Sequence, residues 1–160
     1  MDVNFHSSVV FCNDLPKQRE FYEKFLGQKV KQDLGGCIVF QNGFTLWQLE
    51  EKYPISRELG YTYEPIGNRN LELCFETEAI EDSVEKVLLS DLRILHNLEE
   101  EEWGQYTIRF YDPEGNLVEI GESLRTMVKR MQQSGLGIDE IAKKSGLHKR
   151  MVENLLEINL

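Results

Sequence analysis

Apolar residues along this chain fall in short runs whose spacing alternates between that of a strand and that of a helix, in an order that occurs twice. Phe5 to Phe11 is apolar and rich in β-branched residues, which predicts a strand. Asn13-Asp14-Leu15-Pro16 then reads as a helix start, with an acidic cap and a proline in the first turn. Phe21, Tyr22, Phe25 and Leu26 share one helical face before Gly27 ends the helix. Three strands follow, over about 29–34, Cys37 to Phe40 and Phe44 to Leu49, the last two joined by an Asn42-Gly43 hairpin turn.

The same order returns as a strand over about 70–76, a helix over roughly 79–90 through Ile80, Val84, Val87 and Leu88, and a strand over about 92–97. A hairpin closes the repeat, with Asp112-Pro113-Glu114-Gly115 as its turn. Proline pre-sets φ at the first central position and glycine takes the positive φ that ends the reversal, so Glu119 on the returning strand is held in place. A loop rich in Gly, Tyr and Pro joins the repeats between Pro54 and Arg69. These elements predict an α+β fold of two βαβββ modules, about 3–53 and 68–122, forming one curved mixed sheet with a concave cavity. The body then spans 1–122, and 123–160 is a helical extension.

At 160 residues the chain has the size of one domain, and 41% apolar residues suit a soluble protein. No apolar run approaches the roughly 20 residues that cross a bilayer, so no membrane association is expected. Met1-Asp2-Val3-Asn4-Phe5-His6 has neither the basic nor the apolar region of a signal peptide, and the expected location is cytoplasmic. Cys12, Cys37 and Cys74 are widely spaced and read as small buried hydrophobes. The net charge of −10 is uneven: residues 1–122 carry 11 Lys and Arg against 24 Asp and Glu, whereas 123–160 carry 7 against 4. An acidic body repels nucleic acid, which is not an expected partner; only the basic tail offers a place for one.

Alternation along the 70–76 strand puts Glu72 and Cys74 on the face of Asn70, with Leu71, Leu73 and Phe75 toward the helices. Glu72 and Glu119 then share a cavity with Gln48 as a hydrogen-bonding or general-base pair, or Glu72 is simply the ion partner of Arg109 or Arg69. Trp47, Tyr61, Tyr63, Trp103 and Tyr106 suit either the roof of an apolar cavity or the core. Glu99 to Glu102 read as a solvated loop, and His96 and His148 as surface groups.

In the tail, a first helix ends near Ser134, a second runs over about 139–144 and a third over about 148–157, with Gly146 in the turn. Ile138, Ile141, Ala142, Gly146, Leu147, Val152, Leu155 and Leu156 follow a pattern that resembles the helix-turn-helix of DNA-binding regulators, with His148, Lys149 and Arg150 toward a phosphate backbone. The same helices equally suit a packing role, capping the pocket or a dimer interface with Met127, Met131, Ile141, Leu155 and Leu156.

Asp14-Leu15, Phe21-Tyr22-Glu23-x-x-Leu26-Gly27 and Phe110-Tyr111-Asp112-Pro113-Glu114-Gly115-Asn116-Leu117-Val118-Glu119 together resemble the vicinal oxygen chelate superfamily of glyoxalase, bleomycin-resistance and extradiol dioxygenase proteins, over roughly 3–122. The resemblance implies a site for a divalent ion held by one His, Glu or Gln from each of the first, fourth, fifth and last strands. Ser7, Gln48, Asn70 and Glu119 stand at those positions, and only Glu119 is a strong ligand. His6 is one residue away, and alternation turns it from the pocket unless the register slips. The resemblance therefore implies a small-molecule-binding homodimer with no resident metal or cofactor. Its organic ligand would meet Ser7, Gln48, Asn70, Glu72, Trp103, Tyr106, Arg109 and Glu119, with Glu72 and Glu119 as the acid–base groups. Two alternatives stay open: a metal-dependent lyase or isomerase of the glyoxalase type, in which Glu119 with Gln48 or His6 holds a divalent metal and Glu72 moves a proton, and a ligand-sensing regulator whose tail binds DNA.

Overall fold

The computed structural model describes residues 3–60, 67 and 71–157, the side chain of Arg57 excepted. The chain divides into two compact units, Met1–Leu71 with Asp112–Asn116, and Glu72–Tyr111 with Leu117–Leu160.

The first unit begins with β1 (Ser8–Cys12) and α1 (Leu15–Glu20), followed by β2 (Val30–Asp33), β3 (Cys37–Phe40) and β4 (Phe44–Gln48). Its sheet has the order β1-β4-β3-β2, with β1 parallel to β4 and the other pairs antiparallel. Asp14 caps α1 as predicted, its Oδ1 accepting the Lys17 N–H at 3.0 Å. Past Glu20 the helix widens into a π-helical turn over Phe21–Phe25 and stops at Gly27, whose φ is +66°. That turn packs the buried Tyr22 ring against Phe40 and Phe44, 5.9 and 5.0 Å between centroids, and these residues join Val10, Ile38 and Leu46 in the core.

The turn Asp112–Asn116 belongs to this unit and is held there by its two acids. Asp112 accepts the backbone N–H groups of Glu114 and Asn116 at 2.9 Å each, and its Oδ2 accepts the Tyr22 hydroxyl at 2.9 Å. Glu114 Oε1 accepts the N–H groups of Asn13 and Asp14 at 2.7 Å each, which places a carboxylate at the entrance of α1. Burial, and then the Asp112 charge, push the Tyr22 phenol well above its ordinary range. The Asp-Pro-Glu-Gly-Asn motif is thus a structural clasp. A short helix α2 (Pro54–Glu58) lies where the sequence predicts loop.

The second unit repeats the plan with β5 (Glu72–Thr77), α3 (Ile80–Leu88), β6 (Ile94–Glu100), β7 (Tyr106–Tyr111) and β8 (Leu117–Glu122). Its sheet has the order β5-β8-β7-β6, with β5 parallel to β8. The fold is α+β, as expected. Its strands pair as two four-stranded mixed sheets, one for each βαβββ module, and each module pairs its first strand with its last. β1 starts three residues later than predicted, and β6 runs on to Glu100.

Three more helices complete this unit: α4 (Leu124–Gln133), α5 (Ile138–Ser145) and α6 (Lys149–Glu157). Met127, Val128, Met131, Ile141 and Val152 form their common core, with Leu124, Leu136, Leu147, Leu155 and Leu156 packed against it. Arg130 ties α4 to the sheet: its guanidinium pairs with the buried Glu122 carboxylate at 2.9 Å, donates to the Gly104 carbonyl at 2.5 Å and lies 3.7 Å from the Tyr106 ring centroid. Among the described residues no helix is long and apolar enough to cross a membrane.

Candidate functional site

Strand register in the second unit sets Cys74 opposite Glu119, Glu119 opposite Arg109, and Arg109 opposite His96. Alternation adds Glu72 on β5 and Thr107 on β7 to this face. The β6–β7 loop supplies Glu101. Arg109 is the hub. Its Nε donates to Glu72 Oε1 at 2.6 Å, Nη1 to Glu101 Oε1 at 2.5 Å, and Nη2 to Glu119 Oε2.

His96 completes the ring of partners. Its Nδ1 lies 2.7 Å from the Asn97 carbonyl oxygen and its Nε2 3.1 Å from Arg109 Nη1. Because a carbonyl only accepts and a guanidinium only donates, these neighbours make Nδ1 the donor and Nε2 the acceptor of the ring.

Three carboxylates around one guanidinium leave a formal charge of −2 when all are ionised. The Arg109 side chain is 19% exposed and that of Glu119 is 11% exposed, so water screens this imbalance poorly. Burial raises the Glu119 carboxyl above its ordinary value; the Arg109 charge opposes this, while Glu72 and Glu101 reinforce it. Glu101 moves the other way, chiefly because it accepts from Arg109. Desolvation works against the Arg109 cation, but bonds to Glu101 and Glu72 outweigh it and hold the guanidinium charged. Burial, then the charges of Glu119 and Glu72, push the Cys74 thiol up to about 11, which rules it out as a ready thiolate nucleophile at neutral pH. The arrangement can hold a proton on Glu119 beside a fixed cation and offer hydrogen bonds to a polar ligand.

Glu72, Arg109 and Glu119 of the predicted set thus meet, through the Arg109 pairing that the sequence leaves open for Glu72. Tyr106 does not share their face: it neighbours Thr107 in β7, alternation turns it to the α4 side, and it lies under Arg130. Trp103 sits in the β6–β7 loop, 40% exposed, with its Nε1 donating to Gln105 Oε1 at 3.0 Å. Ser7 and Gln48 belong to the first unit; Gln48 Oε1 accepts the Leu15 N–H at 3.3 Å. Asn70, Arg69, Tyr61 and Tyr63 lie outside the described residues.

His96 and Glu101 are site members that sequence reasoning takes for surface groups. The signal for His96 is its place between Ile94 and Leu98, all three more buried than Leu95 and Asn97. Glu101 carries no such mark; the path of the loop decides its position.

The donors at the positions of a family metal do not suit a divalent ion. Glu119 is taken by a guanidinium, the Gln48 oxygen is turned to the α1 backbone, Ser7 is a neutral hydroxyl, and His6 is exposed ahead of β1. Among the described residues, no three His, Cys, Asp or Glu side chains are grouped to hold an ion.

A model of the glyoxalase-like domain matches residues 5–125. Among solved structures, a protein of unknown function from Agrobacterium tumefaciens is similar at 29% identity, covering 78% of this chain and 97% of that one, with a TM-score of 0.67. An integron cassette protein from the mobile metagenome of V. cholerae is similar at 25% identity, covering 76% and 97%, with a TM-score of 0.52. A glyoxalase/bleomycin resistance protein/dioxygenase family enzyme from Burkholderia phytofirmans shares the fold at 16% identity, covering 74% and 98%, with a TM-score of 0.61. Comparison with curated proteins gives no match. The paired modules, the clasp motif and the match across residues 5–125 together place this chain in the glyoxalase-like domain family.

Proposed function

We propose that this protein binds a small organic molecule through the charged row centred on Arg109, without a resident metal. One observation carries the reading: buried Glu119 and half-buried Arg109, His96 and Glu72 share one sheet face, with more negative charge than their single guanidinium balances. A rigid strand platform suits ligand recognition because little side-chain freedom is lost on binding. Glu119, held above the usual carboxyl range, is the group we assign to proton exchange with the ligand, and Arg109 fixes its position.

Screening a library of polar organic molecules by thermal shift and calorimetry tests this reading. A ligand of this site binds the wild-type chain and loses at least tenfold in affinity in both Glu119→Gln and Glu72→Gln, about 1.4 kcal/mol or more. Ligands that bind these variants and the wild type equally would sink the assignment. The expected dimer is part of the same proposal: β1, β2, β5 and β6 are the edge strands of their sheets, and an edge can pair with a second copy. Sedimentation velocity checks this, and a monomer throughout the micromolar range would remove it.

A further inference from the structure

The glyoxalase-like match ends at residue 125 and leaves α5, α6 and most of α4 unaccounted for. Most of their apolar side chains are committed to one another. Met127, Met131, Ile141 and Val152 are 2% exposed or less within the three-helix core, so the residues that would cap a pocket are already used. What these helices present outward is mostly polar, with Ile138 of α5 and Met151 of α6 as the exposed large apolar side chains. We propose that the α5–turn–α6 hairpin is a docking surface for duplex DNA, with α6 as the helix that enters the major groove.

Three observations favour that partner. First, α5 and α6 are joined by only Gly146-Leu147-His148, with Gly146 at φ +73°, and both pack on α4; this is the order and turn of a helix-turn-helix. Second, α6 spans nine residues, and its first turn and the turn before it expose His148, Lys149 and Arg150, with Asn154 one helical turn beyond Arg150. Arginine and asparagine are the side chains whose donors match guanine and adenine edges in the major groove. Third, the charge on this hairpin is partly uncommitted. Lys144 pairs with Glu100 and Lys149 with Asp139, whereas Lys143, His148 and Arg150 make no ion pair among the described residues.

The hairpin carries 4 basic residues, Lys143, Lys144, Lys149 and Arg150, against 4 acidic ones, Asp139, Glu140, Glu153 and Glu157, while residues 1–122 carry 11 against 24. Binding therefore rests on the unpaired cations Lys143 and Arg150 rather than on net charge, and it is salt-dependent, because the acidic remainder repels the duplex.

The test is fluorescence anisotropy of a labelled random-sequence 20-base-pair duplex with the full chain, titrated at several salt concentrations; about 20 base pairs span two turns of the helix. The expected result is binding that falls as salt rises, with K143E/R150E at least tenfold weaker and its log–log salt slope shallower by about 2. Lys29 and Lys31 are exposed in the first unit, so K29E/K31E makes the same charge change away from the hairpin and should retain binding. Three results overturn the proposal: no salt-dependent binding by the wild type, equal losses in both double variants, or a K143E/R150E effect confined to self-association in sedimentation. The last would make a second copy of the chain the occupant of this face.

Discussion

Glu119 and Glu101 accept from the same guanidinium, yet their acidities move in opposite directions. Burial raises Glu119 above the ordinary carboxyl value of 4.5, and the short bond from Arg109 lowers Glu101 below it. Linkage turns this into opposite pH trends. A carboxyl whose folded pKa is depressed contributes stability above its unfolded pKa and loses it as pH falls through the folded value. One whose folded pKa is raised contributes below its unfolded pKa and loses that contribution as pH rises. The stability advantage of wild type over Glu101→Gln should therefore shrink on acidification below 4.5, while the corresponding difference for Glu119→Gln falls as pH rises above 4.5. Urea unfolding from about pH 3 to 8 measures both, and parallel trends would show that the two carboxyls share one environment. Sequence alternation alone finds Glu72 and Glu119. It does not find Glu101, whose place depends on a loop folding back over β7.

At the scale of elements, two tight junctions should be sensitive to a single atom or two. Tyr22→Phe removes the hydroxyl that reaches Asp112 and leaves a buried carboxylate short of a donor, so about 1–2 kcal/mol of stability should be lost. Unchanged thermal stability would mean that the clasp does not depend on this bond. Gly104 sits at φ +92°, and a Cβ there would lie 2.0 Å from the terminal methyl carbon of the Met131 side chain, which would have to move. Gly104→Ala combines left-handed backbone strain with that clash and should cost about 2–3 kcal/mol in chemical denaturation. Wild-type stability in this variant would show that the β6–β7 loop does not bear on α4. The loop's importance follows from its other contacts, since Glu100 holds Lys144 of α5 while the neighbouring Glu101 holds Arg109. A four-acid run that composition alone presents as a solvated loop thus connects the charged row to the C-terminal helices.

For the whole molecule, the donor chemistry predicts substoichiometric zinc, nickel, manganese and iron by elemental mass spectrometry of untagged protein grown with these metals. Near-stoichiometric content would show that a donor set other than Ser7, Gln48, Asn70 and Glu119 completes a site. Caps, turns and the twofold order of strands and helix were legible in the sequence, because each rests on groups a few residues apart: Asp14 reaching Lys17, or Asp112 folding onto Glu114 and Asn116. The motifs built on that local chemistry carried the resemblance to the family before any distance was known. The tertiary structure alone decided which side chains surround Arg109 and which face Tyr106 takes. It also decided that Met127, Met131 and Ile141 close a core of their own. Those outcomes depend on register between strands that are not consecutive in the chain and on packing between helices. A change of one position in that register would exchange the two faces of the sheet.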